Sequence, residues 1–148
     1  MIIQKIWSWK GILNRMDYNE CIPLRPHHGL CIPHYTGYGY DARFVKNMDD
    51  IIDHFNDHPD QKIVLRISAD VLCLSCPNNQ HGSCNKEKTV ALYDRSCLTL
   101  CGFSEGQQLK WGDFLQAITK TLMETSQWER ICGDCQWLQL CQKTHSGI

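Results

Sequence analysis

The chain has 148 residues, of which 43% are hydrophobic and 21% are charged, and its formal net charge is −1. This length suits one domain with one adequate core, and the apolar fraction predicts a folded chain rather than a disordered one. The balanced acids and bases lack the basic footprint of a nucleic-acid-binding protein, and no apolar run approaches the ~20 residues needed to span a bilayer.

Residues 1–23 are expected to form an N-terminal extension, either a short helix or a packed tail, because their apolar residues are too loosely spaced for a clear amphipathic face. Met16 is an alternative start, which would leave most of this segment untranslated. The segment lacks the continuous apolar stretch and the small-residue cleavage site of a secretory signal peptide. The domain itself is predicted to cover residues 24–148.

Local signals predict a helix near the start of this domain and a longer one after it. Pro26 suits the first position of a helix, and Pro33 limits how far that helix can run. Asp41 is predicted to be the N-cap of the next helix, which should run to about His58. Residues 62–68 alternate in part and are rich in β-branched residues, so a strand is predicted there.

The second half of the chain is predicted to contain a long loop followed by two helices. Residues 70–84 form a loop with turn signals, and a helix over 87–101 should end at Gly102. Another helix is expected from about residue 112 to 125. The pattern predicts a small, helix-rich single domain of the α+β class, with a minor β element and cysteine-rich metal-binding loops.

Six of the ten cysteines fall into two triplets with the spacings C-x2-C-P-x6-C and C-x2-C-x5-C. Each triplet supplies three soft thiolates from a short stretch, as zinc and iron–sulfur sites require. A C-x2-C turn brings two sulfurs to one ion or cluster at little cost in loop closure, since the loop is short. The six residues are Cys73, Cys76, Cys84, Cys132, Cys135 and Cys141.

Ten cysteines in a secreted protein would instead predict a disulfide framework. The N-terminal segment does not resemble a signal peptide, so we expect a reducing, cytoplasmic compartment in which the cysteines are thiols or metal ligands. Cys97 and Cys101 lie within an apolar helical pattern and are expected to be small core residues. Cys21 falls in the predicted extension and has no assigned role.

The ligand count bears on the choice of metal. The two C-x2-C pairs would satisfy a structural zinc site, but the third cysteines of the two triplets, Cys84 and Cys141, would then be left over. A 4Fe–4S cluster takes four cysteines, so each triplet lacks one ligand. Cys31 is the obvious extra thiol, and His27 or His28 can supply a nitrogen. Either one triplet and Cys31 hold a single cluster, or both triplets hold clusters that Cys31 and a histidine complete, and both layouts stay open.

The adjacent histidines also allow an acid–base interpretation. The ordinary pKa of histidine suits proton transfer near neutral pH, so His27 or His28 could serve a metal-dependent enzyme. Arg25 beside them could neutralise an anionic cluster or bind a substrate carboxylate.

Four blocks of sequence together resemble a known family. They are the run LRPHHGLC at residues 24–31, the segments GYGY and FVKNM at 37–48, Asp70 with the first triplet, and the second triplet with Trp137. The resemblance, over residues 24–141, is to small uncharacterised bacterial and archaeal proteins, a domain of unknown function thought to bind iron–sulfur. It implies iron–sulfur rather than zinc and an intracellular prokaryotic setting, and it implies no reaction.

We therefore expect an iron–sulfur protein, of the 4Fe–4S type, with a redox, electron-transfer or sensing role and a redox partner protein. The alternatives are a zinc-stabilised interaction module and a metal-dependent enzyme that uses one of the two histidines. The expected ligands are Cys31, Cys73, Cys76, Cys84, Cys132, Cys135 and Cys141, with His27 and His28 as further candidates.

Overall fold

The computed structural model describes residues 21–80 and 83–146. The predicted extension therefore lies outside the described residues, apart from its last three positions. Ile22 and Pro23, which the sequence placed in that extension, form a strand with Leu24. Ile22 and Leu24 are fully buried, so these residues are part of the folded domain.

A three-stranded sheet forms one layer of the described chain. It contains β1 (Ile22–Leu24), β2 (Lys62–Leu65) and β5 (Gln108–Lys110), in the order β1-β2-β5. β1 runs parallel to β2, and β2 runs antiparallel to β5. Pro23 cannot donate a backbone hydrogen bond, and its position on the edge strand β1 accommodates that loss. A separate hairpin pairs β3 (Asn79–Gln80) with β4 (Ser83–Cys84).

Helices make up most of the remainder, so the predicted helix-rich α+β class is confirmed. A 3₁₀-helix spans Val71–Ser75, and a π-helical turn, Thr119–Met123, extends the fourth α-helix. None of the helices in the described ranges is long and apolar enough to cross a membrane. The α-helices are α1 (His28–His34), α2 (Ala42–Asp57), α3 (Glu87–Cys101), α4 (Trp111–Ile118), α5 (Gln127–Ile131) and α6 (Leu138–Ser146).

The two longest helices have the boundaries that their capping residues predict. The Asp41 side chain accepts a hydrogen bond from the Phe44 N–H at 2.8 Å, and α2 ends just before His58. α3 covers the predicted range and ends at Gly102, whose φ of 74° is left-handed. Glycine adopts this conformation without the steric cost that a Cβ would bring, which is why it stops the helix there.

The shorter elements depart from the sequence predictions. α1 begins at His28 rather than Pro26, because a turn precedes it in which the His28 N–H bonds to the Arg25 carbonyl at 3.0 Å. The predicted strand over 62–68 ends at Leu65. The predicted loop over 70–84 contains the 3₁₀-helix and the hairpin, which are too short to leave a periodic pattern.

The core lies between the sheet and the helices, and it fixes the position of α1. Phe55 stacks on Trp111 with ring centroids 4.4 Å apart, and Phe114 beside them is fully buried. A Cβ at Gly29 would lie only 2.6 Å from the Phe114 ring, so α1 approaches α4 at a distance that only glycine allows. The residues on either side of Gly29 in α1 are thereby held against the core.

Candidate metal centre

The seven predicted cysteine ligands and both candidate histidines line a single cavity of about 480 Å³. The cysteines come from three segments that are far apart in sequence: α1, the region from the 3₁₀-helix to β4, and the region from the end of α5 to α6. The fold therefore brings together all the residues that the spacing argument selected. The remaining walls include aromatic side chains, namely Tyr35, Tyr38, Tyr40, Phe44, Tyr93, Trp128 and Trp137.

Four cysteines of the cavity lining are neighbours, and we call them the rear set: Cys31, Cys132, Cys135 and Cys141. α1 packs against α6, and this contact brings Cys31 from the start of the domain to the second triplet. Burial raises the pKa of the Cys31 thiol, and the three neighbouring thiols raise it further. Burial also raises the pKa of Cys132, to about 12, with Cys135 and Cys141 adding to the effect. The Cys31 and Cys132 thiols are therefore protonated near neutral pH unless a metal ionises them, and metal binding would release their protons.

The other three cavity cysteines, Cys73, Cys76 and Cys84, form what we call the front set. Burial raises the pKa of Cys76, but hydrogen bonds from the backbone N–H groups of Asn78 and Asn79 oppose that rise. The Lys86 N–H donates to Cys84 Sγ at 3.4 Å. Backbone donors of this kind stabilise the anionic sulfurs of metal sites.

Asp70 connects the front set to α1. Its Oδ1 accepts from the Leu72 N–H at 2.9 Å and from Cys73 Sγ at 3.4 Å. Its Oδ2 accepts from the Arg25 N–H and lies 2.6 Å from His28 Nδ1. Burial pushes the pKa of Asp70 upward, but His28 and these donors outweigh it and the net shift is downward. Asp70 is therefore an anionic link between a cysteine and a histidine of the cavity.

His27 is held in the same way by a different carboxylate. Its Nδ1 lies 2.6 Å from Asp94 Oδ1, which also accepts from the His27 N–H at 3.0 Å. Burial, and then the neighbouring His28, lower the pKa of His27. Both histidines thus use Nδ1 to contact a buried carboxylate, which leaves Nε2 as the ring nitrogen for anything bound in the cavity. A carboxylate behind a histidine is the usual support of a metal ligand or a general base.

Arg25 has a structural role that the sequence interpretation did not anticipate. The side chain is 1% exposed, and its Nε donates to Asp94 at 2.8 Å. Its two terminal nitrogens donate to Glu87 at 2.9 and 3.1 Å. Burial alone would lower the pKa of Arg25, but the two carboxylates outweigh it and raise the pKa. Arg25 therefore joins the start of α1 to α3, rather than presenting a free cation to a ligand.

Several residues of the site were missed by sequence reasoning. Asp94 is fully buried on a helix face that it shares with Ala91, Cys97 and Leu98, and a lone carboxylate within an apolar face was the signal for it. Trp137 Nε1 donates to Tyr40 Oη at 3.2 Å, which attaches the GYGY segment to the region of the second triplet. This long-range pair left no local signal.

The remaining cysteines lie outside the cavity lining. Cys97 is 1% exposed within the core and Cys101 packs against the core, as predicted for both. All ten cysteines are free thiols. Within residues 21–80 and 83–146, no group of three or more histidine, cysteine, aspartate or glutamate side chains is arranged to hold a metal ion.

The chemistry of the donor set fits an iron–sulfur cluster. Such a cluster presents each thiolate to a different iron atom, so its ligands surround a volume rather than converge on one point. Soft thiolates, N–H donors to sulfur and aromatic walls are the features that this cavity combines.

Comparison with known proteins identifies a family. A family model described as "Protein of unknown function (DUF1284)" matches residues 39–141, which include both cysteine triplets. His27, His28 and Cys31 lie outside the matched residues. No curated protein and no solved structure matches the chain at a significant level. Because the family model matches more than half of the chain, the protein belongs to this family of unknown function, DUF1284.

Proposed function

We propose that the protein binds an iron–sulfur cluster of the 4Fe–4S type and has a redox, electron-transfer or sensing role. The observation that carries this proposal is the position of seven thiols from three distant segments around one cavity with aromatic walls. Four of them, the rear set, match the number of cysteines that such a cluster takes.

A single structural zinc ion explains this arrangement less well. It would take four ligands in a closed tetrahedral site and leave three cavity cysteines without a function.

The chain's own residues would support the cofactor in two ways. The rear cysteines would hold it, and the aromatic side chains of the cavity wall would limit its contact with water. A bound cluster supplies one-electron transfer, with a potential that these contacts tune. Such a role implies a redox partner protein and a reducing compartment such as the cytoplasm.

Anaerobic purification followed by iron, sulfide and visible absorbance measurements tests the proposal. The wild-type protein should contain iron and acid-labile sulfide and should be coloured. Cys31→Ser and Cys135→Ser should lose iron and colour. Cys101→Ser is the matched control, because Cys101 lies outside the cavity lining and should change neither. A colourless wild-type protein that contains zinc and no sulfide would overturn the proposal in favour of a zinc-stabilised module.

The two Asp–His pairs favour a second candidate function, a metal-dependent enzyme. A histidine whose Nδ1 contacts a buried carboxylate is held in one tautomer and orientation, as general bases are. Both histidines line the cavity that the thiols also line. If His27→Ala and His28→Ala keep the full cofactor content and cells carrying them show no phenotype, this second candidate fails.

A further inference from the structure

The seven cavity cysteines divide unequally, and the division leaves the front set short of one ligand. Cys31 neighbours the three rear cysteines and so completes a set of four. Cys73, Cys76 and Cys84 then have no fourth thiol among the cysteines that line the described cavity. Backbone N–H groups nevertheless donate to Cys76 and Cys84, as they do to the sulfurs of metal sites. A fourth ligand from another residue type would complete such a site.

The residue joined most directly to the front set is His28. A single carboxylate, Asp70, contacts both Cys73 Sγ at 3.4 Å and His28 Nδ1 at 2.6 Å. The His28 ring is therefore fixed by the same group that fixes one of the front thiols. An imidazole whose Nδ1 contacts a carboxylate is oriented for ligation through Nε2.

His27 is a weaker candidate, although its ring centroid is only 4.3 Å from that of His28. Its carboxylate, Asp94, contacts Arg25 and the backbone of His27 itself. Among the described residues, this network includes no hydrogen bond to a front cysteine. His27 therefore belongs to the connection between α1 and α3, whereas His28 belongs to the connection between α1 and the front set.

Tyr40 lies at the boundary between the two sets. Its hydroxyl interacts electrostatically with Cys76 of the front set and with Cys135 of the rear set. The same hydroxyl accepts the hydrogen bond from Trp137 Nε1 at 3.2 Å. Tyr40 is therefore a fixed aromatic residue that interacts with both sets.

We propose that Cys73, Cys76, Cys84 and His28 hold a second iron–sulfur cluster, in which the imidazole of His28 takes the place of a fourth thiolate. This inference rests on the proposed function and adds a second centre to it. A neutral imidazole in place of a thiolate leaves the centre less negatively charged, so the front cluster should have a higher reduction potential than the rear one. The cavity would then hold two unlike centres separated by Tyr40.

Nitrogen coupling in pulsed EPR tests this assignment. The full chain is produced anaerobically with ⁵⁷Fe and ¹⁵N-imidazole-labelled histidine, reduced, and examined beside a total iron and sulfide assay. The variants are His28→Ala, His28→Cys, Cys76→Ser for the front set and Cys135→Ser for the rear set. His27→Ala is the matched control, because it removes the adjacent imidazole.

The proposal expects a histidine ¹⁵N coupling in the wild type that persists in His27→Ala and is absent from His28→Ala. Cys76→Ser should lose about half of the iron, because it removes one of two clusters that contain the same number of iron atoms. Cys76→Ser should also lose the histidine ¹⁵N coupling. Cys135→Ser should lose iron but keep this coupling. His28→Cys should keep its iron, lose the coupling and shift the front potential downward, because it supplies a fourth thiolate.

Three results would overturn the second centre while leaving the proposed function intact. They are iron content unchanged by Cys76→Ser, a histidine coupling that survives in His28→Ala, and zinc in place of iron at the front set. A wild-type protein without iron or sulfide would overturn both. The two failures are therefore distinguishable.

Discussion

The carboxylate of Asp94 lies 2.8 Å from Nε of Arg25, and the two side chains are only 0% and 1% exposed. The same carboxylate contacts the ring and the backbone of His27. This contact joins the turn that precedes α1 to the middle of α3. Because α1 carries His28 and Cys31, the position of two candidate ligands depends on a buried ion pair.

Asp94→Ala should therefore destabilise the protein strongly. Removing one partner of a buried pair leaves an uncompensated charge, which typically costs about 3–5 kcal/mol. Glu87→Gln is the matched comparison, because Glu87 binds the same guanidinium but is 41% exposed, and it should cost at most ~1 kcal/mol. Urea unfolding measures both. Similar unfolding midpoints for the two variants would contradict the central role given to Asp94.

The stability of the protein should fall as the pH is lowered below the ordinary pKa of histidine. Burial is the main cause that lowers the pKa of His34 from 6.5; the Leu30 carbonyl opposes the shift, and His145 adds to it. The unfolded chain then binds protons more readily than the folded one. The stabilising contribution of neutral His34 is present above pH 6.5 and is lost as the pH falls from there through the lowered pKa.

Unfolding free energies measured between about pH 7.5 and 5 check this prediction. His34→Gln should show a smaller loss of stability over that range, because glutamine does not titrate. Equal pH dependence in the variant and the wild type would mean that His34 is not responsible.

Gly29→Ala should displace α1 and weaken cofactor binding. The new Cβ would lie 2.6 Å from Cε2 of Phe114, which is fully buried and has little room to move. Overpacking of this kind costs about 1–3 kcal/mol. Gly133→Ala is the control for stability, since its Cβ would meet nothing closer than 3.5 Å. The thermal midpoints of both variants, and the iron content of Gly29→Ala beside that of the wild type, give the comparison, and an unchanged Gly29→Ala protein would refute the tight contact.

Loss of the Trp137 side chain should expose the rear set to oxidants. Trp137 donates to Tyr40 Oη and packs edge-on against its ring, with centroids 5.2 Å apart. Trp137→Ala should lose its visible absorbance in air roughly tenfold faster than the wild type, in line with the effect of removing supporting groups around a metal site. Trp137→Phe should be intermediate, because it keeps the ring and loses the donor.

Leu92→Ala serves as the control for this experiment, because Leu92 is 62% exposed and outside the cavity lining. Bleaching of Trp137→Ala at the rate of Leu92→Ala would show that Trp137 does not shield the site.

The sequence predicted best what local residues determine. The Asp41 cap and the Gly102 stop act within a few residues, so the limits of α2 and α3 were predictable. β1 and β5 have three residues each and exist only through their pairing with β2, which no local pattern encodes.

The candidate site shows the same division between local and tertiary information. The two triplets that cysteine spacing selected line one cavity, because short C-x2-C turns carry that signal by themselves. Cys31 lies near the other three rear cysteines because α1 packs against α6. The carboxylates behind His27 and His28 likewise come from other elements, so their roles became visible only in the folded chain.

The most direct measurement of the central claim is a Mössbauer spectrum of the full chain produced with ⁵⁷Fe and kept strictly anaerobic, with sulfide assayed on the same sample. The account predicts the spectrum of iron in tetrahedral sulfur coordination, with acid-labile sulfide close to the iron content. A protein that is isolated under these conditions without iron and sulfide, and that instead contains zinc, would contradict it.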